Sequence, residues 1–133
     1  MSGRPWMQRD WLRILLGALL VELALMIVAV PVFFLPNQQA ILSIIVPPVS
    51  FLVALPIGAW AAKPSARPVL TGAGVGMVSV VVYGLLILIA LQFAPPERAD
   101  TSSALSPSYL AAHLLKVLGG AVGGWWIAKK QVP

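Results

Sequence analysis

Four apolar runs, at 12–35, 40–62, 69–93 and 109–128, take up most of the 133 residues. A helix needs roughly 20 apolar residues to cross about 30 Å of hydrocarbon, and each run meets that length. The links at 36–39 and 63–68 are short and the link at 94–108 is longer. Short links make sequential neighbours pack antiparallel. The pattern predicts an all-α polytopic membrane protein, one domain over 1–133, built as an antiparallel bundle of four transmembrane helices.

Charge leads to the same solvent. Only 10% of the residues are charged, against roughly 25% in a soluble domain, too few to cover a polar surface. The net charge of +5 does not mark a nucleic-acid binder, because the basic residues stand at the ends of apolar runs rather than on one hydrophilic face. Cysteine is absent, which excludes disulfides and thiolate catalysis. One histidine and four scattered acids, Asp10, Glu22, Glu97 and Asp100, form no ligand cluster, so neither a metal nor a cofactor is expected.

The ends of the runs set an orientation. Arg4, Arg9, Arg13, Lys63, Arg67, Lys129 and Lys130 fall on one side, and Arg98 alone on the other. Basic residues stay on the cytoplasmic side, which predicts a multi-pass cell-membrane protein with both termini in the cytoplasm. Trp6, Trp11, Trp60, Trp125 and Trp126 gather toward the same face, where indoles prefer the headgroup level. The first run is read as a retained span: it is too long for a signal-peptide core, carries an acid in its middle, and has no small-x-small site before Pro31.

Polar residues inside the runs are the informative ones, since a charge at the centre of a membrane helix costs about 2.5 to 3.5 kcal/mol. Glu22 lies ten residues in from Leu12, and Lys116 twelve residues in from Ala128. At the helical rise both are about 15 to 18 Å deep, in one middle layer. An ion pair between spans one and four is the plain reading. The alternative makes Glu22 a carrier of protons or cations. Ser50, Ser79 and Tyr83 fall at about the same depth, and His113 lies one turn further out. Together they are candidates for one polar seam, although each serine alone is ordinary in a membrane helix.

Span two carries Pro47, Pro48 and Pro56, which free the carbonyls of Ser43, Ile44 and Leu52 and predict a kink near Val46. Gly72 and Gly76 in span three, and Gly119 with Gly123 and Gly120 with Gly124 in span four, are small-xxx-small pairs that let backbones approach. A bulky residue at Gly120 or Gly123 is expected to weaken assembly. Thr71-Gly-Ala-Gly-Val-Gly76 superficially looks like a nucleotide loop, but no strand precedes it and no lysine follows. Known catalytic motifs are missing, and one histidine is a poor base for an enzyme.

The stretch Leu118-Gly-Gly-Ala-Val-Gly-Gly-Trp-Trp-Ile-Ala-Lys-Lys130 resembles the end of the last helix in small four-span bacterial membrane proteins of no assigned activity. Glu22 is similar in kind to the embedded first-span glutamate of small multidrug resistance transporters. Lys116, the prolines of span two and the long third link depart from that family. These readings predict a non-enzymatic membrane protein that acts through helix contacts with itself, as a homo-oligomer, or with a larger membrane partner. A dimeric proton-coupled small-cation transporter built on Glu22 is the alternative. A phage-type holin fits the size but not the weakly charged tail.

Overall fold

The computed structural model describes residues 5–93 and 106–132, with side chains from Arg9 onward. Arg4, Glu97, Arg98, Asp100, the Trp6 side chain and most of the third link lie outside the described residues. The chain forms four helices: α1 (Pro5–Val32), α2 (Gln38–Ala62), α3 (Pro68–Phe93) and α4 (Pro107–Gln131). Each contains a stretch long and apolar enough to cross a membrane.

Proline sets the starts of α3 and α4. Pro68 and Pro107 each open a helix, where the missing N–H is not needed and the ring presets φ. Ser106 caps α4 by accepting the Tyr109 N–H at 3.5 Å. α1 is already helical about two turns before the apolar run and stops at Val32 rather than Leu35. Its last residues wind into tight turns, with Leu35 N–H donating to the Val32 carbonyl at 3.0 Å, because Pro36 disfavours helical backbone at the residue before it. Asn37 then takes φ 60°, the single left-handed non-glycine residue among those described, and turns the chain into α2. Asparagine tolerates that region better than most side chains.

α2 runs unbroken through its prolines, so the disturbance expected near Val46 does not divide the helix. The Ser43 carbonyl, freed by Pro47, accepts the Ser108 hydroxyl of α4 at 2.7 Å.

α4 packs most extensively against α2, on which it runs parallel, and against α3, on which it runs antiparallel. α1 lies against α2 and α3, and among the described residues its backbone does not approach that of α4. The inward residues follow helical spacing on every element: Ala18, Val21 and Glu22; Ser50, Ala54 and Gly58; Gly72, Val75 and Ser79; Ala112, Lys116, Gly119 and Gly123. The apolar centre, Val21, Ala54, Ala61 and Val75, is made of small side chains.

Glycine makes this closeness possible. A Cβ on Gly72 would strike the Gly120 carbonyl oxygen, and one on Gly120 would strike that of Gly72. In each case the hydrogen that stands in place of Cβ is directed at the opposing carbonyl, the geometry of a weak Cα–H···O contact. A Cβ on Gly76 would stand 2.5 Å from Lys116 and Val117 backbone atoms, one on Gly124 would strike the Pro68 carbonyl, and one on Gly58 would stand 2.7 Å from the Gly120 Cα. On the other edge of α4, a Cβ on Gly119 would stand 2.6 Å from the Phe51 carbonyl oxygen, and one on Gly123 would strike the Leu55 carbonyl and Ala59. The two glycine pairs of α4 therefore differ in their neighbours: Gly119 and Gly123 grip α2, Gly124 grips α3, and Gly120 lies between α3 and Gly58 of α2. All these approaches are made within one chain.

Candidate functional site: a buried ion pair

The only charged side chains buried among the described residues are Glu22, 5% exposed, and Lys116, 2% exposed. The Lys116 ammonium donates to Glu22 Oε1 at 2.5 Å. The Ser79 hydroxyl donates to the same oxygen, also at 2.5 Å. Three helices thus meet at one carboxylate oxygen. A charge-assisted bond in a low-dielectric interior is stronger than one in water, and each partner removes the cost of burying the other.

Tyr83 extends the cluster away from the apolar centre. Its ring centroid lies 5.2 Å from Lys116 Nζ, 4.8 Å from the His113 ring and 6.2 Å from the Tyr109 ring, with which it stacks. Of the expected seam residues, Ser79, Tyr83 and His113 are gathered around the pair. Tyr109 belongs to the group too and was not singled out in the sequence. The signal for it was its place one turn before His113 on the same helix face. Ser50 is fully buried, and its hydroxyl has no hydrogen-bond partner among the described residues. His113 Nδ1 is likewise unpartnered.

The bundle is closed differently on the two sides of the pair. Toward the end that carries Arg13, Lys63 and Lys129, glycine contacts and small apolar residues fill the interior. Toward the other end, α3 has no buried residue beyond Ser79. Val81, Leu85, Leu88, Ile89 and Phe93 are all more than half exposed, and Gly84 alone among the described glycines has nothing within 4 Å of a built Cβ.

The basic end is held by polar ties. α2 has no basic residue in its last turn. Arg13 of α1 supplies one, donating to the Trp60 carbonyl at 2.5 Å and the Ala61 carbonyl at 3.3 Å while its guanidinium lies 4.2 Å from the Trp60 ring centroid. A cation on the last carbonyls satisfies orphan acceptors and suits the helix dipole. The Ser65 hydroxyl donates to Asp10 at 3.0 Å and accepts the Arg67 N–H at 3.0 Å; its 2.6 Å contact with the Thr71 hydroxyl completes its capacity. Lys129 and Lys130 lie 4.0 and 5.2 Å from the ring centroids of Trp125 and Trp126. Among the described residues, no three His, Asp or Glu side chains gather as a metal site would require.

Compared with protein-family models, curated proteins and solved structures, the chain matches none.

Proposed function

We propose that the chain is a multi-pass protein of the cell membrane, a bacterial inner membrane, with both termini in the cytoplasm. It acts without enzymatic chemistry, through helix contacts with a second copy or a larger membrane partner. The observation that carries this reading is the half of α3 beyond Ser79, an apolar segment with no buried residue and with Gly84 open to an approaching backbone. Close approach at small residues is what associates helices where lipid removes the hydrophobic drive. The orientation is supported by Arg9, Arg13, Lys63, Arg67, Lys129 and Lys130 standing at one end of the bundle.

Gly84→Leu tests the reading at a position where, among the described residues, no atom lies within 4 Å of an added Cβ. The expected result is an oligomer in lipid nanodiscs for the parent protein and a shift toward monomer for the variant. A parent that is strictly monomeric and captures no membrane partner on cross-linking would reject it.

A second reading, a dimeric proton-coupled small-cation transporter, draws on the Tyr83, His113 and Tyr109 side chains that continue from Glu22 and Lys116 toward the open half. Weighing against it, the sole embedded carboxylate among the described residues is engaged by an ammonium and a hydroxyl. pH-driven cation flux in liposomes that vanishes in Glu22→Gln, with the fold intact, would favour this second reading.

A further inference from the structure

The buried hydroxyl of Ser50 needs a partner that no described side chain provides. A hydroxyl left dry in an apolar interior loses its hydrogen bonds to water with nothing in return, and native structures seldom tolerate that. The register of α2 on α4 locates the group. Ser108 bonds to Ser43, Gly119 meets Phe51 and Ala54, Gly123 meets Leu55 and Ala59, and Gln131 bonds to the Lys63 carbonyl, all in one parallel alignment. One turn from Ala54 stands Ser50; one turn from Gly119 in the same direction stands Lys116. Both residues point inward, 0% and 2% exposed. Lys116 has three ammonium donors, of which one is given to Glu22 among the described residues.

We propose that an internal water molecule is bound between the Ser50 hydroxyl and the Lys116 ammonium, accepting from the ammonium and exchanging a hydrogen bond with the hydroxyl. Water is the ligand that fits, because it both accepts and donates, and buried waters typically serve polar groups left over by the fold. With it, one polar chain runs from Ser79 of α3 through Glu22 of α1 and Lys116 of α4 to Ser50 of α2, so that all four helices share a single layer of hydrogen bonds. The inference rests on the ion pair and the helix register and is independent of the function proposed above.

The sign of one substitution decides. If Ser50 is dry, Ser50→Ala removes an unsatisfied group and raises the melting temperature; if it anchors water beside Lys116, the same change lowers it. The expected result is a lower melting temperature for Ser50→Ala and a parent-like one for Ser50→Thr. In a Glu22→Gln/Lys116→Met background, where the ammonium is gone, Ser50→Ala should cost nothing. A raised or unchanged melting temperature for Ser50→Ala in the parent, or an equal loss in both backgrounds, overturns the proposal. Radiolytic footprinting gives a reading that needs no double variant: radicals born from a bound water should oxidise the segment around Ser50 in the intact protein and not in Ser50→Ala. An unoxidised segment in the parent would equally overturn it.

Discussion

Lys116 and Glu22 belong to the two helices whose backbones do not approach each other, yet their ammonium and carboxylate are 2.5 Å apart. The long lysine side chain crosses the interior, so the bond ties opposite corners of the bundle rather than neighbours. Ser79 of α3 reaches the same oxygen.

Removing one partner should be costly. Glu22→Gln strands an ammonium in the interior and is expected to destabilise by about 3 to 5 kcal/mol, whereas Glu22→Gln with Lys116→Met should recover most of that loss, since deleting both members of a buried pair is often near neutral. Thermal denaturation in detergent checks it. A double variant as unstable as the single one would mean that the pair supplies more than mutual neutralisation.

Glycine positions should separate by neighbour rather than by helix. Gly72→Ala or Gly120→Ala drives a methyl group into an opposing backbone and should cost about 1 to 3 kcal/mol, the usual range for overpacking. Gly84→Ala meets no described atom within 4 Å and should stay within about 0.5 kcal/mol of the parent. Because Gly120 and Gly123 are occupied within one chain, larger residues there act on the fold of the single molecule before any association. Melting curves of the three variants would expose an error if Gly84→Ala proved the most damaging.

Arg13 caps a helix that is not its own. Arg13→Ala should destabilise by about 1 to 2 kcal/mol, through loss of charge-assisted bonds to the Trp60 and Ala61 carbonyls and of a favourable charge at a helix C-terminus. Arg13→Lys should restore only part, since an ammonium lacks the planar fork that reaches both carbonyls. Equal stability of all three proteins would show the cap to be inert.

Topology is open to reporter fusions. A reporter after Pro133 should read cytoplasm, and one inserted between Ser102 and Ser106 should read exterior, because seven basic residues oppose one. Both on the same side would sink the four-span arrangement.

Much of this architecture is visible in the chain before folding. Helix number follows from apolar length, and the shared depth of Glu22 and Lys116 follows from counting residues at a fixed rise. Spacing alone also puts Gly119 with Gly123 and Gly120 with Gly124 on adjoining edges of α4. Which neighbour each edge meets is not readable, because near-uniformly apolar helices carry no amphipathic stripe to mark an inner face. For the same reason nothing announced that α4 would lie against α2, or that Ser108 would take the carbonyl that Pro47 frees. The Arg13 cap and the saturated Ser65 hydroxyl join residues about 50 positions apart, beyond the reach of any local pattern such as capping or helical spacing.

The place of α4 between α2 and α3 also bears on how the molecule comes into being. Chains are made from the N-terminus, so α4, which α2 and α3 grip, leaves the ribosome after the three helices before it. Until it arrives, Glu22 lacks its counter-charge, and Gly58, Gly72 and Gly76 lack the backbone on which they close. The first three helices therefore complete their packing only when this 25-residue helix is added.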